Sequence, residues 1–215
     1  MTRIAIVGSG HLGQQIAYHI QQDTQDVIVG FFDDYQEVGN RINNIPILGG
    51  NQDIELQFHN KAYDALIIAI GYRHMAFRSD LYKCFKESIP FYTFIHSSTI
   101  LDKSATIGTG SIIYPGCLID QNVEIGHNVL MNISCSIAHD SKIGNHCFLS
   151  PRVAIAGFVD VKEECILGIN STIIDNIRIT TKVQIGGATV VIKNLEKPGL
   201  YVGNPARFIK SKFNK

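Results

Sequence analysis

The sequence predicts an α/β domain followed by a parallel β-solenoid. Two observations predict this fold class: residues 1–94 alternate between apolar strand-like runs and helical runs, and an uninterrupted six-residue repeat begins at Ile95. Strand and helix alternation is typical of a parallel α/β sheet, whereas a short repeat is typical of a solenoid. We therefore expect two domains, residues 1–94 and residues 95–215, with almost no linker between them.

The N-terminal domain begins with a buried-strand pattern, RIAIVG, which is followed by the glycine-rich turn GSGHLG and the helical run QQIAYHIQQ. VIVGFFDD and ALIIAIG predict two further strands. The helical pattern HMAFRSDLYKCFKE and the strand pattern FYTFIH are expected to complete a small Rossmann-like sheet.

The turn GSGHLG has the spacing G-x-G-x-x-G and predicts a ligand site. Glycine allows a ligand to approach the backbone, and a helix N-terminus favours an anion, so Gly8, Ser9 and Gly10 are candidate phosphate-binding residues. Asp33 and Asp34 end the second strand and are candidates to accept hydrogen bonds from a ribose or a base. A nucleotide-linked sugar fits these features, a dinucleotide such as NAD is an alternative, and a plain tight turn is another.

From Ile95 the chain divides into hexads such as IGHNVL, MNISCS, IAHDSK and IGNHCF. The first position is always Ile, Leu, Met or Val, and the fifth is small or β-branched in nearly every hexad. Two inward positions per hexad fit a parallel β-helix in which three hexads make one coil. Cys117, Cys135, Cys147 and Cys165 occupy fifth positions and are predicted to fill the coil interior rather than to form disulfides or a metal site.

Composition narrows the classes of function. The formal net charge is zero, which argues against nucleic acid or an anionic membrane as partner. No apolar stretch approaches the length of a membrane span, and the N-terminus shows no signal-peptide pattern, so a cytoplasmic location is expected.

His139 and Asp140 occupy the third and fourth positions of the hexad IAHDSK, where we expect side chains to point outward near a corner. Histidine titrates near neutral pH and suits a general base, and an adjacent carboxylate can fix its tautomer. The residues alone leave open whether the pair is catalytic or a solvated turn.

The Rossmann-like domain ending in IHSSTI, the hexad domain, Asn132 upstream of His139-Asp140 and the terminal GNPAR together resemble a known family. This is the sugar O-acyltransferase family that includes sialic acid O-acetyltransferase. The plan is most similar to the bacillosamine- and perosamine-type N-acetyltransferases, which act on nucleotide-linked 4-amino sugars. The resemblance implies a left-handed β-helix, acetyl-CoA as co-substrate, no metal and a homotrimer.

The resemblance also implies roles for individual residues. It makes His139 the general base and Asp140 its partner carboxylate. Gly157 would bind the thioester carbonyl through its backbone N–H. The other implied positions are His11 and Asn132 near the sugar, Gly71 in a ligand loop, Ile169 and Gly187 along the acyl-CoA channel, and Lys193 near a CoA phosphate.

Two departures from the family pattern matter. Phe148 stands where the bacillosamine enzymes have a second histidine that contacts the acetyl group, and nearby His146 lies on another hexad position. The loop GYRHMAFR contains Arg73 and Arg78, either of which could meet a diphosphate.

We therefore predict an acetyl-CoA-dependent N-acetyltransferase that acts on a UDP- or dTDP-linked 4-amino-4,6-dideoxy sugar in surface glycan (O-antigen) biosynthesis. Sugar O-acetylation of the sialic acid type is the alternative. A zinc enzyme similar to the γ-class carbonic anhydrases would need three histidines at a spacing that His127, His139 and His146 do not supply. A nucleotide-sensing protein and a non-catalytic scaffold are further alternatives.

Overall fold

The computed structural model describes residues 1–211, and these form two compact units. The first unit is Met1–Phe94 and the second begins at Ile95. Within residues 1–211, no helix has the length and apolar character needed to span a bilayer.

The first unit is a five-stranded sheet with helices. Its strands lie in the order β3-β4-β2-β1-β5, and all neighbours are parallel except the β3-β4 hairpin. The elements are β1 (Arg3–Val7), α1 (His11–Asp23), β2 (Val27–Phe32), β3 (Arg41–Ile42), β4 (Ile45–Gly49), α2 (Ile54–His59), β5 (Ala65–Ile68) and α3 (Met75–Phe85).

One predicted strand of this unit is wrong. The segment FYTFIH does not add a full strand to the sheet, because it pairs with β5 through the single bridge between Leu66 and Phe91. Leu66 donates to Pro90 and accepts from Tyr92, and the ladder does not continue along the segment. β6 (Phe94–Ile95) spans the boundary between the units. The hairpin at β3 and β4, which sequence reasoning missed, extends the sheet at its other edge instead.

The second unit is a parallel β-helix with three faces. Face 1 contains β6, β9 (Ile112–Ile113), β12 (Leu130–Met131), β15 (Phe148–Leu149), β18 (Ile166–Leu167), β21 (Val183–Ile185), β23 (Gly199–Val202) and the antiparallel β24 (Arg207–Lys210). Face 2 contains β7 (Ile100–Leu101), β10 (Leu118–Ile119), β13 (Ser136–Ile137), β16 (Ala154–Ile155), β19 (Thr172–Ile173) and β22 (Val190–Val191). Face 3 contains β8 (Thr106–Ile107), β11 (Glu124–Ile125), β14 (Lys142–Ile143), β17 (Asp160–Val161) and β20 (Arg178–Ile179).

The hexad pattern explains this architecture. The first and fifth positions are inward, so that from Ile113 upward residues such as Val129, Leu149 and Val183 are completely buried in one continuous core. The four hexad cysteines are also fully buried, as the repeat predicts. At the fourth position the backbone is left-handed in coil after coil, from Gly110 and Gly116 to Ala188. This turn closes each hexad in six residues, and residues such as Asn and Asp adopt it at low cost.

Two of the corners of the β-helix carry the predicted site residues. Corner A is defined as the set of turns that connect face 1 to face 2, including residues 132–135, 168–171 and 186–189. Corner B is the set of turns that connect face 2 to face 3, including residues 120–123, 138–141, 156–159 and 174–177.

Candidate active site

His139 and Asp140 form a hydrogen-bonded pair at corner B. Nδ1 of His139 lies 2.9 Å from Oδ2 of Asp140, and both side chains are more than one-third exposed. Asp140 has a left-handed backbone, φ 57°, which turns its side chain back toward the preceding residue. Hydrogen bonds from His139 and then from Asn122 hold the pKa of Asp140 below its ordinary value. A charged Asp140 therefore accepts the Nδ1–H, and Nε2 of His139 is left as the basic nitrogen.

Gly157 lies directly against the ring of His139. A Cβ atom on Gly157 would be 2.6 Å from Cε1 and 2.8 Å from Nε2 of His139. The ring of Phe158 also meets the imidazole of His139 edge-on, at 5.1 Å between the ring centroids. The imidazole of His139 is therefore in contact with the carboxylate of Asp140, the ring of Phe158 and the backbone of Gly157. Only glycine at position 157 leaves room for the ring.

Position three of corner B forms a column along the β-helix. His139, Gly157, Asp175 and Lys193 occupy the same hexad position in successive coils, and strands in successive coils lie about 4.8 Å apart. Exposed Lys193 is thus about 14 Å along the axis from His139.

The other predicted residues of this unit lie elsewhere. Asn132, half-exposed Ile169 and Gly187 are all at corner A, on the opposite side of face 2 from His139. A single chain therefore does not gather all the predicted residues at one place. Phe148 lies on β15 of face 1 and is 5% exposed, and it does not line corner B.

The histidines of the second unit do not converge. His127 and buried His146 lie in the turns that lead from face 3 to face 1, where Nδ1 of His146 bonds Asn128 and Nδ1 of His127 accepts the N–H of Thr109. Among the side chains that the structure describes, no group of three His, Cys, Asp or Glu residues is arranged to hold a metal ion.

In the first unit a cleft of about 300 Å³ opens at the carboxyl ends of the parallel strands. Predicted residues Gly8, Asp33 and Asp34 line it. Sequence reasoning did not identify the other polar and aromatic lining residues, which are Phe32, Tyr35, Asn51, His74 and Phe77. Asn51 was detectable in principle because it follows β4, which is parallel to β2, and ligands of open α/β sheets bind where such strands end.

The glycine-rich turn is held by Asp33. Oδ2 of Asp33 accepts the Ser9 N–H at 2.9 Å and the Ser9 hydroxyl at 2.6 Å, and Oδ1 accepts the N–H of Tyr35 at 3.0 Å. Partial burial acts to raise the pKa of Asp33, but these hydrogen bonds together outweigh it and lower the pKa. Asp33 is thus charged and shapes the turn, and its remaining capacity to accept a hydrogen bond from a ligand is small.

The other predicted residues surround this turn. Asp34 accepts hydrogen bonds from the backbone and side-chain N–H groups of Asn51. α1 begins at His11, three residues before the predicted helical run QQIAYHIQQ starts at Gln14, so His11 is exposed in its first turn and Gly10 is the N-cap. Gly71 precedes a short 3-10 turn, Tyr72–His74, on which Arg73 is exposed. Arg78 is fully buried and does not line the cleft, so the expectation that it meets a diphosphate is not supported.

Gly13 makes the tight fit between α1 and the turn possible, and this contact can be tested. A Cβ atom on Gly13 would lie 2.0 Å from the carbonyl oxygen of Gly8, which is backbone and cannot rotate away. We expect Gly13→Ala to lower the free energy of unfolding by about 1–3 kcal/mol, the range typical of overpacking. Gly10→Ala is the matched control because a Cβ there meets nothing within 4 Å, and it should cost less than about 1 kcal/mol. Urea unfolding measures both, and equal losses would contradict the packing argument.

The chain was compared with family models, with curated protein sequences and with solved structures. Residues 3–83 match the family model of the PglD N-terminal domain. A search of curated protein sequences finds no significant match.

Three solved structures share the whole fold. PerB from Caulobacter crescentus, solved with CoA and GDP-perosamine, superposes with a TM-score of 0.87 at 22% identity over 98% of both chains. The acetyltransferase domain of PglB from Neisseria gonorrhoeae, in complex with acetyl coenzyme A, gives 0.84 at 19% identity over 97% of this chain and 99% of that one. WeeI from Acinetobacter baumannii gives 0.83 at 24% identity over 97% and 100%.

These findings confirm the predicted fold class, a small Rossmann-like domain followed by a left-handed parallel β-helix. They also confirm the resemblance on which the handedness rests, since the structural relatives include a perosamine N-acetyltransferase. Residues 3–83 accordingly match the model of the PglD N-terminal domain, and the chain has, over nearly its whole length, the fold of these solved structures.

Proposed function

We propose that the protein is an acetyl-CoA-dependent N-acetyltransferase that acts on a nucleotide-linked 4-amino-4,6-dideoxy sugar. The observation that carries the proposal is the His139-Asp140 pair, with Nδ1 bonded to the carboxylate and the ring resting on Gly157. PerB, which has the same fold, was solved with CoA and GDP-perosamine, so GDP joins UDP and dTDP as a candidate nucleotide.

The residues at corner B suit direct acetyl transfer. The sugar amine attacks the thioester carbonyl carbon, Nε2 of His139 takes the proton that the nitrogen loses, and the C–S bond breaks to release CoA, which takes a proton. The backbone N–H of Gly157 can stabilise the charge that develops on the carbonyl oxygen. The four hexad cysteines are fully buried, which favours direct attack over a covalent acyl-cysteine.

The corner B column suits acetyl-CoA. Its thioester would lie beside His139 and Gly157, and Lys193 would meet a phosphate farther along the axis. The separation of about 14 Å is compatible with the distance between the thioester and the phosphates of an extended CoA. In the first unit, Gly8, the N-terminus of α1, Gly71 and Arg73 would bind the diphosphate of the nucleotide, and Asp34 in the cleft would accept a hydrogen bond from its ribose or base.

A homotrimer would complete the site. The strands of face 2 present apolar or uncharged residues, including Ile100 at 67% and Leu118 at 47% exposure. They line a groove of about 430 Å³, which Asp102 and Asp120 also line where face 2 ends at corner B. Face 3 presents an ion-pair ladder, with Lys142 bonded to Glu124 at 2.7 Å, and is suited to solvent. If face 2 lies toward a threefold axis, corner A of one copy meets corner B of the next. Asn132, Ile169 and Gly187 would then join His139 from a neighbouring copy.

Mixing two inactive variants tests this arrangement. His139→Ala damages corner B and Asn132→Ala damages corner A, so neither homotrimer should be active. Unfolding and refolding the two together should restore about a quarter of the sites, because a quarter of random interfaces combine the two intact corners. Steady-state kinetics measures the recovery. No activity above that of the separate variants would contradict a site shared between copies.

The reaction itself is tested with an acceptor panel. We expect the protein to release CoA thiol when it is given acetyl-CoA and one of the GDP-, UDP- or dTDP-linked 4-amino sugars, and mass spectrometry should show an acetylated product. A 3-amino sugar and free sialic acid complete the panel. Acetylation of sialic acid instead would identify the O-acetyltransferase alternative, and nucleotide binding without turnover on any acceptor would contradict the proposal.

A further inference from the structure

The carboxylate of Asp140 is anchored at both oxygens. Oδ2 bonds Nδ1 of His139 at 2.9 Å, while Oδ1 accepts a hydrogen bond from Nδ2 of Asn122 at 3.1 Å. Asn122 lies in the preceding coil of corner B, eighteen residues earlier in the chain. The pair described above is therefore part of a three-residue arrangement, and Asn122 is the member that does not touch the imidazole.

Asn122 is itself fixed in place. Its backbone is left-handed, φ 56°, and its N–H donates to Oγ of Ser104 at 2.8 Å in the next coil down. Ser104 is held in turn by Asp102, which accepts the Ser104 N–H at 2.9 Å and the hydroxyl at 2.6 Å. A column of hydrogen bonds thus runs through three coils of corner B and ends at Asp140.

A second anchor on Asp140 has a clear physical purpose. The His139 and Asp140 side chains are 40% and 35% exposed, so water competes for the carboxylate and its rotation is not blocked by packing. A carboxylate that turns away from Nδ1 no longer selects the tautomer with a proton on that nitrogen. The donor on Asn122 holds Oδ1, and this fixes the plane in which Oδ2 meets the imidazole.

We infer that Asn122 is a positioning residue for the acetyl transfer, which acts through Asp140 to hold the single proton of the neutral His139 ring on Nδ1, so that Nε2 carries the lone pair that acts as the base. This inference depends on the proposed function for its kinetic consequences. Its structural content, the tautomer of His139, is measurable without turnover.

Two variants of Asn122 separate positioning from folding. Asn122→Gly removes the donor and keeps the left-handed backbone at no steric cost. It should lower kcat about tenfold with an unchanged KM, less than the 10²–10⁴-fold typical of losing a general base. Asn176→Gly is the matched control: it is also a left-handed asparagine of corner B, with φ 61°, but its side chain bonds its own neighbour Asp175. It should leave kcat within twofold of the original value.

Asn122→Asp tests positioning through the pH profile of kcat/KM, which would not change if Asn122 only stabilised the fold. It places a second carboxylate against Asp140, and the added negative charge favours the protonated imidazole. The acid limb of the pH profile of kcat/KM should therefore move to higher pH, whereas Asn122→Gly should mainly lower its plateau. An unmoved acid limb together with a full kcat in both variants would overturn the inference.

Nitrogen-15 NMR of histidine-labelled protein tests the inference even if turnover is absent. Of the eight histidines, His139 is identified by the signal that His139→Gln removes. At a pH where the ring is neutral, the unsubstituted protein should show mainly the Nδ1–H tautomer, and Asn122→Gly should shift the population toward Nε2–H. An inactive parent protein would overturn the proposed function alone, while an unchanged tautomer in Asn122→Gly would overturn the role of Asn122.

Discussion

His139→Ala is expected to lower kcat by about 10²–10⁴-fold, the range typical of losing a general base. The attacking nitrogen must shed a proton, and Nε2 of His139 is the basic atom that the bond to Asp140 leaves for this purpose. CoA binding and the assembly state should change little, because the side chain is 40% exposed and lies outside the buried core.

The measurement pairs steady-state kinetics with calorimetric titration of CoA and light scattering. His127→Ala is the matched control, since His127 is an exposed histidine on a different corner of the same β-helix. Activity of His139→Ala within threefold of the parent protein would show that another group acts as the base.

Gly157→Ala is expected to lower kcat by about 10²-fold, comparable to the weaker end of general-base loss. The new methyl carbon would lie 2.6 Å from Cε1 and 2.8 Å from Nε2 of His139, closer than carbon and nitrogen atoms can approach. The imidazole must then move, and its bond to Asp140 or its approach to the amine is lost. Alanine keeps the peptide N–H of residue 157 as a donor to the thioester carbonyl. The substitution therefore tests whether the imidazole of His139 needs the space that glycine leaves.

A double-mutant cycle distinguishes these two roles of Gly157. In the His139→Ala background the ring is absent and the methyl group has space, so Gly157→Ala should then reduce the residual rate by less than twofold. If Gly157→Ala lowers the rate equally in both backgrounds, it acts on the thioester or the backbone, and the packing explanation is wrong.

Much of the β-helix was predictable because its pattern is local and periodic. Each hexad places a large apolar residue at its first position inward and, in nearly every case, a small or β-branched residue at its fifth, and the four buried cysteines follow from this rule. Adjacent His139 and Asp140 were also predictable, since neighbouring residues at an outward turn must lie near each other. The strand predicted at FYTFIH was wrong because the prediction rested on strand propensity alone. At this edge of the sheet only Leu66 and Phe91 pair, so the segment does not continue as a strand of this sheet.

The sequence by itself determined the two-domain plan, the repeat of the coils and the His139-Asp140 pair, because all three depend on contacts between residues close in the chain. The tertiary structure alone decided what lies beside that pair. Gly157 and Asn122 reach His139 and Asp140 from the coils above and below, eighteen residues away in either direction. The different corners of Asn132 and His139, by contrast, already follow from the coil of three hexads, because the two residues lie in successive hexads. The contacts that Gly157 and Asn122 make with the pair arise from the stacking of coils. The hexad that contains His139 and Asp140 does not itself determine which atoms of the adjacent coils these side chains meet.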